Sequence, residues 1–293
     1  MVRVKELLGL AFYLACRAVA SIFPPGMAYF LLWPYAALRG LRPAGAETHL
    51  PASRLPAPSG ERPSYLRRWR FQSRIHQRWL PLLWTDRWKE SRWSSRFSAD
   101  GAERLDDIAR QRPIVVMTLH TGGMIVLGGW LAQRGLGIGS VIVDRRVWAR
   151  TQRMRSNSRW ASRMGDSAAF LRGDARSMIR YLTPGRCLLL PADHERGHFV
   201  DGMWSGGRLR LSSGGFRIAR LAEATVVPII VTDDGRWRYK IHVGEPVPQE
   251  LITAGDDVAA ATHVAKQLMP IAATRPSEAA ITLVGAAFPP EPA

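Results

Sequence analysis

The chain has 293 residues, 46% of them hydrophobic, which is enough to bury the core of one large α/β domain and excludes a disordered chain. Its 41 Lys and Arg residues against 24 Asp and Glu residues give a net charge of +17, which favours an anionic partner such as nucleic acid, phospholipid headgroups or an acidic carrier protein. Cys16 and Cys187 both lie in apolar runs, so we expect buried thiols rather than a disulfide, and without a CxxC or His-x-x-x-His pattern no metal site is predicted.

Residues 1–40 are predicted to form an apolar, helical membrane-association segment. Two apolar runs, over residues 7–23 and 26–38, are separated by two consecutive prolines, and Arg17 interrupts the first. Neither run has the roughly 20 uninterrupted apolar residues that a bilayer-spanning helix needs, so two half-inserted helices are expected. The alternative is that both runs are buried helices of a soluble domain. Basic residues that suit anionic headgroups flank the runs: Arg3, Lys5, Arg39 and Arg42.

Residues 41–64 are rich in proline and small polar residues, which predicts a linker that leads into an α/β domain over residues 65–293. That domain begins with a run, from Tyr65 to Trp93, in which arginine is interleaved with tryptophan. Such a run suits either a membrane interface or nucleic-acid stacking. Because no helix-turn-helix, zinc-finger, RNA-recognition or KH signature accompanies it, an anionic membrane surface is favoured and nucleic acid is not expected as a partner.

The rest of the chain alternates between apolar strands and helices, the pattern of a layered α/β sheet flanked by helices. The glycine pairs do not form the GxGxxG fingerprint of a dinucleotide site, so no cofactor is expected. Strands are predicted over residues 114–119, 138–143, 187–190, 226–231, 237–243 and 280–284. Helices are predicted over residues 124–133, 147–164, 175–182, 215–222 and 258–273.

The strand over residues 114–119 leads directly into His120, which is followed by Gly122, Gly123 and the helix over residues 124–133. Imidazole has a pKa of about 6.5 and can take a proton from a hydroxyl at neutral pH. The ends of parallel strands are also where open α/β sheets bind their ligands. We therefore predict that His120 is a general base. The alternative is a histidine that merely caps the helix.

A second apolar strand, over residues 187–190, is followed by a cluster of ionisable residues. Further along the chain, Arg208 and Arg210 lie between two glycine pairs, of which the first is predicted to form a turn and the second to begin a helix. The arginines and the ionisable residues are predicted to line the site. The ionisable residues are Asp193, His194 and Glu195.

Seven arginines lie between residues 145 and 163, beyond the second predicted strand. A solvated basic face accounts for some of them. The others are predicted to bind phosphates, because planar guanidinium groups suit the geometry of a phosphate better than ammonium ions do.

These stretches together resemble the late lipid A biosynthesis acyltransferases, the lauroyl and myristoyl transferases of the lysophospholipid acyltransferase superfamily. The resemblance extends over roughly residues 65–250. It is strongest at His120 with the Thr-Gly that follows, at residues 153–157, at Asp193 and His194 with Gly197, and at residues 224–229.

The resemblance implies a glycerolipid acyltransferase-like fold and an enzyme at the cytoplasmic face of the cell inner membrane. The donor would be a fatty acyl thioester on acyl carrier protein or coenzyme A, and the acceptor a hydroxyl of a glycolipid or phospholipid. Arg155 and Asn157, in the run that coincides with the family's, would bind phosphates on the acceptor or on the pantetheine arm of the donor. His120 would deprotonate that hydroxyl for direct attack on the thioester carbonyl. Backbone amides near Gly122 and Gly123, or a nearby arginine, would bind the oxyanion.

One position departs from the family motif, which has Glu or Asp five residues after the histidine. Here that residue is Ile125, which can neither orient the imidazole nor stabilise the imidazolium. Asp193 and Glu195 are the candidates to replace the missing acid. Without a replacement, the chain would be a slow or altered enzyme, or a lipid-binding pseudoenzyme of the same fold.

Overall fold

The computed structural model describes residues 94–121, 123–142, 168–193, 197–236, 238–275, 278–279, 283 and 286–288, together with residues 22, 23, 27, 30, 31 and 34. The strands are β1 Phe97–Asp100, β2 Ile114–Thr118, β3 Gly137–Ile142, β4 Ala168–Leu171, β5 Arg186–Pro191, β6 Phe199–Trp204, β7 Gly207–Ser212, β8 Thr225–Gly235, β9 Arg238–Val243 and β10 Ala287–Phe288. The helices are α1 Ala102–Gln111, α2 Met124–Gln133, α3 Ala175–Tyr181, α4 Gly214–Leu221, α5 Gln249–Ala254 and α6 Asp257–Thr274.

Seven of these strands form one mixed sheet in the order β1-β9-β8-β2-β5-β3-β4. Strands β8, β2, β5, β3 and β4 run parallel to one another, so their carboxyl ends lie at the same edge of the sheet. Strand β9 is antiparallel to β8, and β1 is parallel to β9. A smaller antiparallel sheet has the order β10-β7-β6. The predicted α/β class, with helices flanking a sheet, is confirmed.

Helices cover both faces of the mixed sheet. Strand β2 is buried at all of its positions, as expected for a central parallel strand, and its side chains alternate between two core clusters. On one face, α1 and α2 contribute Leu105 and Leu127 to the cluster that contains Val116. On the other face, α4 and α6 contribute Phe216 and Val264. The residues that follow β2 and β5 therefore emerge from a rigid, closely packed layer.

The hairpin of β8 and β9 contacts the N-terminal part of the chain. The guanidinium of Arg236, at the hairpin turn, lies 5.5 Å from the ring centroid of Phe30, and Phe23 packs against the core cluster of α1 and α2. Met27, Phe30 and Leu31 are helical and between 50% and 56% exposed. Among the described residues, no helix has the length and apolar character needed to cross a membrane. The membrane-association segment as a whole stays a prediction.

Most of the predicted elements that fall on described residues are confirmed. The helix predicted over residues 124–133 coincides with α2, and the other predictions differ from the observed bounds by a few residues at most, except at the long strand β8. The strand predicted over residues 280–284 is wrong at Leu283, which is helical and fully buried. A short apolar run does not distinguish a buried helix from a buried strand. The linker over 41–64 and the helix over 147–164 lie outside the described residues.

Candidate active site

A tight turn at the end of β2 positions His120. The strand ends at Thr118, and the amide of Thr121 donates a hydrogen bond of 2.7 Å to the carbonyl of Leu119, which closes a three-residue γ-turn around His120. The carbonyl of Thr121 then accepts from the amide of Met124, the first residue of α2. His120 therefore lies where a buried parallel strand passes into a helix, at the edge of the sheet where ligands bind.

Strand register brings Asp193 to the same level as His120. Thr118 of β2 pairs with Pro191 of β5, and the amide of Ala192 donates to the carbonyl of Thr118 at 2.8 Å. Two residues further along each strand, His120 and Asp193 are opposite one another. Because neighbouring strands lie about 4.8 Å apart and alternate side chains share a face, these two side chains meet.

The contact between the two residues is extensive. Nδ1 of His120 lies 2.8 Å from Oδ1 of Asp193, and the backbone amide of His120 donates to Oδ1 at 3.0 Å and to Oδ2 at 3.1 Å. A carboxylate only accepts hydrogen bonds, so Nδ1 carries the hydrogen and Nε2 is the basic nitrogen of the neutral ring. No described residue hydrogen bonds to Nε2. The side chain of Asp193 is fully buried, whereas that of His120 is 29% exposed.

Two opposing effects act on the protonation of His120. Burial lowers the pKa of the imidazole, but the negative charge of Asp193 and its hydrogen bond raise the pKa by more, so the net pKa lies above the ordinary value. The carboxylate therefore stabilises the imidazolium that forms when the ring takes up a proton. A ring with a raised pKa, whose Nε2 bonds to none of the described residues, is a stronger base than an isolated imidazole.

Gly123 has a packing role that the sequence does not reveal. Its backbone is in the ordinary right-handed helical region, so no special conformation requires glycine there. A Cβ added to Gly123 would lie 2.5 Å from Cγ1 of Val231 and 3.2 Å from its carbonyl oxygen. The turn after His120 can therefore approach β8 only because residue 123 lacks a side chain. Donation of its amide to a substrate stays a prediction.

Arg208 and Arg210 share one acidic partner on the hairpin of β6 and β7. Arg208 lies 3.3 Å from the carboxylate of Asp201, and Nε of Arg210 lies 3.0 Å from it. The amide of Ser212, at the end of β7, donates to the carbonyl of Ala192 at 2.8 Å. Ser212 is therefore next to Ala192, the residue that precedes Asp193. Arg210 lies two residues earlier in β7, about 7 Å from that point along the strand. Substrate binding by the two arginines stays a prediction.

Ile125, at the position of the family motif's acid, lies in the first turn of α2. Five of the predicted site residues lie outside the described part of the chain: Gly122, Arg155, Asn157, His194 and Glu195.

Arg172 is a residue of this edge that the sequence reading overlooked. It follows β4, so it lies at the same edge of the sheet as His120 and Asp193. A Cβ added to Gly197 would lie 3.3 Å from Nη2 of Arg172, so the guanidinium reaches the loop after Asp193. The signal was the short apolar run before Arg172, together with Asp174, whose side chain caps α3 by accepting from the amide of Ser177.

Cys187 is unsuited to covalent catalysis. It is a free, buried cysteine in β5, as predicted, and burial raises its pKa to about 12. A thiol with that pKa is protonated at neutral pH and is a poor nucleophile. Cys16 lies outside the described residues.

The chemistry of this site must be read from its own residues. Neither a scan against models of known protein families nor a search of curated proteins gives a match for this chain. A histidine with a buried carboxylate on Nδ1 and an available Nε2 can abstract a proton from a hydroxyl or a water, and can return it to a leaving group.

Proposed function

We propose that the chain is an acyltransferase that moves a fatty acyl group from a thioester to a hydroxyl of a glycolipid or phospholipid. The observation that carries this proposal is the hydrogen bond of 2.8 Å between Nδ1 of His120 and the fully buried carboxylate of Asp193. In this proposal, Asp193 takes the role of the motif acid, which Ile125 cannot fill. The choice of substrate class comes from the sequence resemblance, and acyl carrier protein and coenzyme A are both retained as donors.

The proposed reaction has two proton transfers and no covalent enzyme intermediate. Nε2 of His120 takes the proton of the acceptor hydroxyl as its oxygen attacks the thioester carbonyl carbon. The tetrahedral intermediate collapses, the carbon–sulfur bond breaks, and the thiolate leaves with the proton that His120 returns. Asp193 stabilises the imidazolium between the two steps. The burial of Cys187 supports direct transfer, because a buried thiol cannot reach the substrate to carry the acyl group.

The oxyanion of the tetrahedral intermediate needs hydrogen-bond donors in fixed positions. We assign this role to backbone amides of the turn at Gly122 and Gly123, next to His120. One such donor contributes about 10²–10³ in rate. The close packing of Gly123 on Val231 supports this assignment, because it fixes the turn before substrate binds.

Charged groups around the pair suit anionic substrates. Arg208 and Arg210 lie on β7, and the last residue of that strand, Ser212, donates its amide to the carbonyl of Ala192, next to Asp193. We propose that they and Arg155, with Asn157, His194 and Glu195 as further binding residues, contact phosphates of the donor or acceptor. The segment over residues 1–40 would hold the enzyme at the anionic cytoplasmic face of the cell inner membrane.

The test is transfer of labelled acyl groups from acyl carrier protein and from coenzyme A to a panel of glycolipids and lysophospholipids. His120→Ala should lower the transfer rate by about 10²–10⁴, because the acid–base contribution is lost. His263→Ala is the matched control: His263 is half-buried on α6, and its Nε2 hydrogen bonds to the backbone carbonyl of Glu245, so its loss should leave the rate unchanged.

The outcomes separate the possible functions. Transfer that survives His120→Ala would remove the histidine from the mechanism. Absence of transfer in every variant, with vesicle binding intact, would favour the lipid-binding pseudoenzyme. Salt-sensitive binding to oligonucleotides without preference for vesicles would favour a nucleic-acid-binding protein instead.

A further inference from the structure

The residue after His120 is tied to two distant parts of the chain. Thr121 forms an isolated antiparallel bridge with Ala279, and its hydroxyl donates to the carbonyl of Val231 at 2.9 Å. His120 is the central residue of the γ-turn that ends at Thr121. A shift of Thr121 therefore moves the backbone of His120, and with it the amide and the ring that contact Asp193.

The segment that carries Ala279 is itself fixed to the end of β8. Nη1 of Arg275 donates to the carbonyl of Asp233 at 2.9 Å, and the amide of Asp233 donates to Oε2 of Glu278 at 2.9 Å. Nη1 of Arg275 also lies 3.6 Å from Oε1 of Glu278, and the amide of Glu278 donates to the carbonyl of Arg275. Arg275 and Glu278 thus hold both polar backbone groups of one residue of β8.

Glu278 is buried, so its carboxylate needs compensating contacts. Only 6% of Glu278 is exposed, and burying a carboxylate is costly unless hydrogen bonds and an opposite charge compensate it. The amide of Asp233 and the guanidinium of Arg275 provide that compensation, and together they fix the position of the Glu278 carboxylate. The position of Ala279, the next residue, follows from that geometry.

We propose that Arg275 and Glu278 are positioning residues for His120. They hold Ala279 against Thr121, and Thr121 keeps the His120 ring on Asp193. The proposal rests on the proposed function, because positioning affects turnover only if His120 is the base. Its structural part concerns the contact of His120 with Asp193 alone, and can be measured without any substrate.

The primary variant is Glu278→Ala, with Glu278→Gln as the conservative variant that retains an acceptor for the Asp233 amide. In Glu278→Ala we expect kcat to fall about 10- to 100-fold, with KM changed less than about twofold, because a small misplacement of a base slows the chemical step. Asp234→Ala is the matched control. It removes the exposed partner of Arg275 and leaves the Glu278 contacts in place.

The discriminating measurement is the titration of the His120 ring, followed by NMR. In the wild-type chain the contact with Asp193 raises the pKa of His120. If Glu278→Ala lets the ring move away from Asp193, the pKa of His120 falls, while Glu278→Gln and Asp234→Ala retain the wild-type titration. A merely structural role would lower the melting temperature without moving that titration.

An unchanged His120 titration in folded Glu278→Ala would overturn the proposal, even if turnover fell. Should that variant fail to fold, Arg275→Met carries the same test: it removes the donor to the Asp233 carbonyl, while the Asp233 amide still donates to the Glu278 carboxylate. If the wild-type chain shows no acyl transfer, the proposed function fails, but a lowered pKa of His120 in these variants still supports the positioning role.

Discussion

Replacing Asp193 by asparagine isolates the charge of the buried carboxylate. Asparagine has nearly the same size, and its amide oxygen can still accept a hydrogen bond from the His120 amide. In the wild-type chain Nδ1 of His120 lies 2.8 Å from Oδ1 of Asp193. With an effective dielectric constant of about 20, the attraction between imidazolium and carboxylate at that distance is at most about 6 kcal/mol. Loss of about half or more of it corresponds to a decrease of about 10²–10⁴-fold in kcat.

The assay is acyl transfer measured across a range of pH. Because His120 acts in its neutral form, wild-type activity should rise with pH through a pKa above that of an ordinary histidine. In Asp193→Asn the stabilisation by the charge is gone and burial still lowers the pKa, so this rise should move to lower pH while the maximum rate falls. Asp107→Asn, which alters only an exposed pair with Arg110, is the control.

Two related variants make the test sharper. The double variant His120→Ala with Asp193→Asn should be little worse than either single variant, because the two residues act as one unit. Ile125→Glu should change the rate little if Asp193 already fills the role of the family acid. Unchanged transfer in Asp193→Asn, or losses that multiply in the double variant, would refute the dyad. A large gain in Ile125→Glu would show that the acid is still missing.

Two further predictions concern packing and membrane contact. Gly123→Ala should destabilise the fold by about 1–3 kcal/mol, seen as a lower Tm, because the added Cβ would overlap Val231. Gly128→Ala, inside α2, should not be destabilising, because the nearest atom to its Cβ would be 3.9 Å away. Equal melting temperatures of the two variants would contradict this prediction. Deletion of residues 1–40 should strongly weaken sedimentation with anionic vesicles, with partial retention by the Trp and Arg run, whereas undiminished sedimentation would exclude that segment as the anchor.

Central elements of the fold were accessible to sequence reasoning, whereas its edges were not. Strands β2 and β5 are buried on both faces, so they are continuous apolar runs that can be recognised. Strand β1 alternates between exposed and half-buried residues over only four positions, and β6 contains Asp201 and Gly202, so neither has a clear signal. These strands depend on pairing with partners far along the chain.

The candidate site, like the fold, could be predicted from the sequence only in part. The sequence shows that His120 and Asp193 each follow an apolar strand, but not that β5 is the neighbour of β2. It is the register of Thr118 with Pro191 that makes Asp193 the residue opposite His120. The tie between Thr121 and Ala279 has no local signal, because it joins a turn to a segment beyond the last long helix.

The hairpin of β8 and β9 extends beyond the level of His120 at the same edge of the sheet. Met117 pairs with Pro228, so Val231 lies level with His120, and β8 continues four residues further to Gly235, a rise of about 13 Å. Phe30 lies against Arg236 at the turn of that hairpin. Met27 and Leu31, close to Phe30 in the chain, are exposed apolar residues. If the proposed membrane association holds, a bilayer that receives these side chains would face the edge of the sheet that carries His120. An acceptor lipid would then be found by diffusion in two dimensions, with the orientation of the enzyme fixed before the encounter.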